Sequence, residues 1–243
     1  MSTVALAIAV SGVGTSVWPP PANAPDRARP VDTSVVVTTT TTSLPPPPAS
    51  VAPTMKIATT DPVVFLTIDD GWTRSPEALA LIRERRIPAT LFILPAPAAA
   101  DPAYYRDMAQ WGSIENHSSR HDHQTKKPAA AQVDDICAAS DSLAAIFGRR
   151  PLMFRPPGGL RNADVDVAVG HCGMYANMLW SATVNDGKLT LNSPRPTLEP
   201  GDIILAHFRP SLPDDIRAVI AAADAAGLRF ASLENYVFEG RGD

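Results

Sequence analysis

The chain has 243 residues, 45% of them hydrophobic, with 25 acidic against 21 basic side chains and a formal net charge of -4. That length suits one ordinary domain, or one domain plus an appendage, and the acid excess argues against nucleic acid as the main partner, because phosphate binding calls for a basic face. No stretch of roughly 18 or more uncharged apolar residues exists, the length that a membrane-crossing helix needs, and two cysteines are too few for a disulfide-built miniprotein.

The chain opens with a short apolar run, Val4 to Val17, followed by Ala22-Asn23-Ala24. Together they resemble an export signal with a small-x-small cleavage site, so residues 1–24 are expected to direct or tether the chain outside the cytoplasm. Residues 25–60 carry a threonine run, Thr38–Thr42, and a proline run, Pro45–Pro48. Such a segment buries too little apolar surface to offset its chain entropy and is expected to be a disordered, semi-rigid linker. Residues 61–243 are long enough to build one good core.

In that remainder, β-rich apolar runs recur at Val63–Ile68, Ala89–Leu94, Ser113–Asn116, Leu152–Phe154, Tyr175–Ala182, Asp202–Ala206 and Arg229–Leu233. Helical segments are expected between them at Ser75–Arg86, Pro102–Trp111, Gln132–Phe147, Asp164–His171 and Pro213–Ala226. Their start and stop signals are Ser75-Pro76, Asp101-Pro102, Gly148 and Gly227. Residues 184–201 read as irregular. Alternation of strand and helix implies parallel strands with right-handed crossovers. The polar residues gather just after the strands, and in a barrel those strand ends share one rim. The expected fold is therefore α/β, a distorted (β/α) barrel of about seven parallel strands behind a Pro/Thr-rich segment.

Four clusters carry candidate chemistry. In Thr67-Ile68-Asp69-Asp70-Gly71 a strand ends in two acids, whose side chains would point to opposite sides if the strand ran on. Three of the five histidines, His117, His121 and His123, fall close together. Two of them four apart, with one Asp, make a set that leaves coordination positions open on zinc, and that equally suits non-haem iron. Arg155 precedes the rigid turn Pro156-Pro157-Gly158-Gly159 and is placed to fork onto a carboxylate. His207 ends the strand Leu205-Ala206-His207.

In order and spacing these motifs resemble the polysaccharide deacetylases, carbohydrate esterase family 4, with a NodB-like catalytic domain, across essentially all of residues 61–243. The resemblance implies a distorted barrel and metal-dependent hydrolysis of acetyl groups on a glycan. It casts Asp69 as general base and Asp70, His117 and His121 as ligands of one divalent ion, zinc first and cobalt or another as alternatives. Arg155 would hold Asp69, His207 would be the general acid, and Asp186 would orient His207. Leu205, Gly158 and Trp180 would line the substrate pocket.

The sequence departs from the family pattern where Gly158 stands for a Tyr and Gly187 for a Trp, so two groove aromatics are missing. His123 is an extra candidate for ligand or groove, with surface placement the plainer expectation. Asn116-His117-Ser118 fits the glycosylation pattern but lies inside the histidine motif, and is read as coincidence. Cys137 and Cys172 are expected to pair if the protein is exported. The expected substrate is an acetylated glycan, peptidoglycan first and chitin-like oligomers next. An O-acetyl ester, a small amide, or mere glycan binding are the rivals. No nucleic-acid partner or stable membrane span is expected, and a monomer is.

Overall fold

The computed structural model describes residues 44–238. The expected export segment, residues 1–24, and residues 25–43 of the expected linker lie outside the described residues. In chain order the strands are β1 (Pro53–Thr54), β2 (Val63–Asp70), β3 (Thr90–Ile93), β4 (Ser113–Asn116), β5 (Met153–Phe154), β6 (Ala176–Met178), β7 (Ala182–Asn185), β8 (Lys188–Leu191), β9 (Ile203–His207) and β10 (Arg229–Phe230). The α-helices are α1 (Pro76–Arg85), α2 (Pro95–Ala100), α3 (Pro102–Met108), α4 (Ala129–Phe147), α5 (Ala163–His171), α6 (Leu212–Ala225) and α7 (Leu233–Phe238).

The fold grows from the two faces of β2. Strand side chains alternate, so Val64, Leu66 and Ile68 pack outward against Ala78 and Ile82 of α1 and Ile216 and Val219 of α6. Val63 and Phe65 point inward with Phe92, Met153, Met178 and Ile203. Each such side chain, fully buried, stabilises the fold by roughly 1.5–3 kcal/mol. The helices start where their caps dictate. Ser75 Oγ accepts from Ala78 N–H (3.1 Å), Asp101 Oδ1 from Tyr104 N–H (3.2 Å) and Asn162 Oδ1 from Val165 N–H (3.0 Å).

The hydrogen-bonded order is β1-β6-β5-β4-β3-β2-β9-β7-β8, with β10 beside the start of β2. All pairings of these strands are parallel except the β7–β8 hairpin. β6 and β7 lie far apart along this path, yet only residues 179–181 separate them in sequence, a reach of about 10 Å. The sheet therefore curls into an incomplete barrel whose last seam is bridged by the chain and not by a ladder. This is the distorted barrel expected.

Several elements differ from the expectation. The single strand Tyr175–Ala182 is two, because the chain changes partner from β5 to β9: Leu179 N–H bonds Thr54 C=O (2.8 Å) and Ser181 N–H bonds Ile203 C=O (3.0 Å). Residues 184–201 are not wholly irregular, since β7 and β8 form a hairpin whose Asp186 and Gly187 both have positive φ (49° and 71°), the combination that a tight two-residue turn demands. Arg229–Leu233 gives two strand residues and then enters α7.

Residues 44–60 are also not a free linker. β1 adds to the edge of β6, Val51 is buried beside Val165 and Val169, Val51 N–H bonds Asp166 C=O (2.9 Å), and the Tyr175 hydroxyl bonds Pro45 C=O (2.7 Å). An open sheet edge with unpaired backbone groups recruits such a segment. Nearby, Cys137 on α4 and Cys172 at the end of α5 are joined in a disulfide, with Cα atoms 5.0 Å apart.

Candidate active site

The strands end on one rim, and β2 brings two acids there. Asp69 follows Phe65 and Thr67 on the inward face and is 2% exposed. Asp70 would point outward if the strand ran on. Its left-handed backbone (φ 79°) breaks the alternation, and its carboxylate turns to the histidines instead. The Tyr105 hydroxyl donates to Gly71 C=O just beyond, which pins this turn.

The histidines sit on a loop built by Asn116. Its buried amide donates to Ile136 C=O and Ser140 Oγ (both 2.8 Å), and its oxygen accepts from Ser118 N–H (2.7 Å). Fully used and buried, Asn116 is no glycan acceptor. Ser118 Oγ in turn accepts from His121 N–H (3.0 Å). His117 Nδ1 lies 2.8 Å from Arg155 C=O. A carbonyl only accepts, so Nδ1 carries the proton and Nε2 presents its lone pair. That Nε2 lies 3.5 Å from Asp70 Oδ1, and His121 Nε2 lies 3.3 Å from the same oxygen.

These three groups offer donor atoms within 4.8 Å of one another. Asp70 Oδ1 is buried without a hydrogen-bond partner, a costly state unless something binds it. Two imidazole lone pairs and a carboxylate form the donor set of an open catalytic zinc site, so the residues present fit a divalent ion. Burial would raise the Asp70 carboxyl, but the facing His117, His121 and His207 outweigh it and hold it below the ordinary value. Burial, reinforced by His117, lowers the His121 pKa, which favours the neutral form that can ligate.

Arg155 joins the site to the barrel seam. It is among the largest fully buried side chains. Nη1 donates to Asp69 Oδ1 (2.8 Å) and Thr67 Oγ1 (2.7 Å), while Nε and Nη2 reach Met178 C=O (3.2 Å) and Leu179 C=O (3.1 Å). Those two carbonyls border the stretch where the chain changes partners. One guanidinium therefore closes the seam and fixes Asp69, and it stacks 4.2 Å over the Phe92 ring. Asp69 keeps Oδ2 free of Arg155 and 3.6 Å from His117 Nε2. Sequence reasoning passed over Thr67. It accepts from Arg155 and donates to Ile204 C=O (2.7 Å), and its position two residues before Asp69 on the same strand face was the available signal.

His207 lies beside Asp69 in the β2–β9 register. Burial lowers its pKa below the histidine norm, against the pull of Asp69 and Asp70. Its Nδ1 has no partner. The structure does not bring Asp186 there. Asp186 is exposed in the β7–β8 turn, and it makes no hydrogen bond to the buried Nδ1 of His207. The turn is held elsewhere, because Gly187 N–H donates to Asp215 on α6 (2.8 Å).

Leu205 is buried one step below His207 on the same face of β9. Trp180 lies at the seam, 5.7 Å from the Arg155 guanidinium. His123 is half-buried and stands outside the three-residue cluster. A side chain at Gly158 would begin 3.6 Å from its Nε2, so the imidazole borders the space that a larger residue would claim.

The barrel resembles the fold of the family 4 carbohydrate esterases. The fold matches that of one from Bacillus subtilis, PdaA, with a TM-score of 0.64 at 23% identity over 79% of this chain and 87% of that one. The sequence profile of the polysaccharide deacetylases matches residues 56–176. An uncharacterised protein of Streptomyces coelicolor is 39% identical over 194 residues, 74% of this chain and 75% of that protein. A peptidoglycan-N-acetylglucosamine deacetylase of Bacillus cereus is 27% identical over 164 residues, 63% and 76% respectively. The chain belongs to the polysaccharide deacetylase family, a family of hydrolases.

Proposed function

We propose that the protein removes N-acetyl groups from an extracytoplasmic glycan, peptidoglycan first. One observation carries the reading: a buried acid with one oxygen fixed and one spare (Asp69) stands between a two-His-one-Asp cluster and a second titratable side chain (His207). The resemblance of the chain to a peptidoglycan-N-acetylglucosamine deacetylase supports the substrate class. The Cys137–Cys172 bond supports an oxidising compartment.

A divalent ion held by Asp70, His117 and His121, with zinc the first choice, would polarise the acetyl carbonyl and acidify a water. The chain supplies the proton traffic. Asp69 Oδ2 takes a proton from the attacking water, while Arg155 holds Oδ1 so that the spare oxygen stays aimed at the site. A backbone N–H of the Pro156–Gly159 turn is the candidate donor to the developing oxyanion. His207 then delivers a proton to the departing nitrogen, which leaves as the neutral amine. The buried setting of His207 lowers its pKa, so the acid form is lost as pH rises at a lower pH than for an ordinary histidine.

The test is acetate release from N-acetylglucosamine oligomers and purified peptidoglycan by the zinc-loaded chain. Asp69→Asn should keep the metal and lose turnover by about 10²–10⁴-fold. An active Asp69→Asn enzyme would remove Asp69 as base. A second reading, O-acetyl ester hydrolysis, is favoured by the unpartnered Nδ1 of His207. An alcohol leaves more readily than an amine and asks less of the acid. Faster release from O-acetylated than from N-acetylated glycan would establish it.

A further inference from the structure

β9, β7 and β8 carry one row of side chains outward from the general acid. Leu205 pairs with Thr183 in the β9–β7 ladder, so His207 stands level with Asn185 two residues on, and Asn185 pairs with Lys188 in the hairpin. Paired residues share a face, so His207, Asn185 and Lys188 all lie on the inward face. Arg209 reaches the same place from the β9–α6 connection, where its Nη1 donates to Asn185 Oδ1 (2.8 Å). We propose that Arg209 and Lys188 form a recognition site for a carboxylate carried by the glycan, on the sugar itself or on a peptide attached to it. The proposal rests on the deacetylase reading and deepens it, by making the substrate an acidic glycan.

Three observations support it. The first is unspent charge. Among the described residues neither Arg209 nor Lys188 is in an ion pair, and both are exposed. Elsewhere Arg83, Arg85, Arg149 and Arg217 each pair with a carboxylate. Asp186, in the turn beside Lys188, pairs with neither cation. Asp215 on α6 feels the Arg209 charge, but it is buried and already accepts from Gly187 N–H (2.8 Å) and the Ser211 hydroxyl (3.4 Å).

The second is placement. Phe208 N–H bonds Asp69 C=O (3.0 Å) and Arg209 N–H bonds His207 C=O (2.8 Å). The chain therefore turns sharply just past the general acid and keeps Arg209 at the rim, where its charge acts on His207. On the outer face of the hairpin, Val184, Leu189 and Leu191 pack against the core. The inward face is left to polar side chains that a substrate at the rim can meet.

The third is the geometry of the donors. Asn185 orients the guanidinium with a neutral amide oxygen, which leaves the positive charge intact. Nε and Nη2 stay free along one edge for the two oxygens of a carboxylate, the forked pairing that arginine favours. Lys188 adds a second, compact positive charge.

The experiment measures kcat/KM for acetate release by the full zinc-loaded chain from three substrates. They are the disaccharide of N-acetylglucosamine and N-acetylmuramic acid with its carboxylate free, its methyl ester, and the same disaccharide with a dipeptide on that carboxyl. The wild type should prefer a carboxylate-bearing substrate to the ester, and the better of the two acids identifies sugar or peptide as the source. Arg209→Gln should lower the acid-to-ester ratio about tenfold, the scale of one hydrogen bond to a charged group. Arg209→Lys should keep part of the ratio, and Arg209→Gln with Lys188→Gln should abolish it. An effect of Arg209 through His207 acts on acid and ester alike, so the ratio reads recognition alone. Equal rates on acid and ester in the wild type, or an unchanged ratio in Arg209→Gln, overturn the site and leave the deacetylase reading standing, as does release from N-acetylglucosamine oligomers alone. If the wild type releases no acetate from any of these, that reading falls. Calorimetric binding of acid and ester then decides the site: tenfold weaker binding of the acid by Arg209→Gln upholds it, and unchanged or absent binding overturns it.

Discussion

Asp69 and Glu115 lie in one row across the sheet, with Phe92 between them. Both are inward-facing, buried acids about 10 Å apart by strand spacing, and both face an arginine, yet their surroundings part sharply. Glu115 spends its oxygens on structure. Oε2 accepts from Leu152 and Met153 N–H (both 2.8 Å), and Oε1 faces Arg149 (3.4 Å), which also bonds Glu234 (2.7 Å). Burial pushes the Glu115 carboxyl up to about 7. Asp69 has one oxygen fixed by the wholly buried Arg155 and the other turned to His117. Composition alone does not separate a structural acid from a chemical one. What separates them is whether an oxygen is left over at the rim.

The comparison is broken most severely at the neighbouring acid. Asp70→Ala removes the carboxylate that both histidines face. Bound zinc should fall to background, and kcat should drop roughly a thousandfold or more, the loss of several kcal/mol of transition-state stabilisation. Metal analysis of the dialysed protein checks the first part, and a variant that keeps both metal and rate would end the ligand assignment.

Next in size is the disulfide, which belongs to the structural side of the molecule. Cys137→Ser with Cys172→Ser opens a loop with a sequence separation of 35. It should cost roughly 3–4 kcal/mol in the chain-entropy model, read as a lower urea midpoint with the rate of surviving folded protein unchanged.

Glu115 comes third. Its pKa in the fold is raised above the ordinary 4.5 to about 7, so between those values the folded state holds a proton that the unfolded state has released. Stability should therefore fall as pH rises from about 4.5 and level off above about 7, by up to about 3 kcal/mol. Glu115→Gln keeps an oxygen for the two backbone N–H groups and should flatten that slope. Urea midpoints at pH 5 and pH 8 decide it, and an unaltered slope would assign the pH dependence to other groups.

The smallest effect is expected at Asp186. Exposed in a hairpin turn, it should tolerate Asp186→Ala with kcat/KM within about twofold, the range of ordinary surface substitutions. A hundredfold loss would mean that the turn folds onto His207 when substrate binds.

Much of this was legible in the sequence because it is encoded locally. The apolar run Val63–Ile68, the caps Ser75 and Asp101, and the order of the acid, histidine, arginine and final histidine motifs each depend on neighbours a few residues away. They gave the strand-helix rhythm, the barrel and the histidine pair, and the family resemblance singled out Asp70 as its partner. Asp186 was misplaced for the complementary reason. Its motif was matched by position alone, whereas the Asp-Gly pair that follows β7 has a stronger local use as a turn.

The composition of residues 44–60 spoke for disorder, and composition does not register an unpaired strand edge waiting on β6. The sequence by itself determined which residue types reach the rim and in what order. Only the tertiary structure decided that one buried arginine would serve both Asp69 and the barrel seam, that Glu115 would be saturated while Asp69 keeps a spare oxygen, and that Arg209 would stand beside Asn185. Each of these depends on partners about 20 to 90 residues away. A hydrogen bond or a buried charge is satisfied by whatever the fold brings within about 3 Å, and no local pattern carries that information.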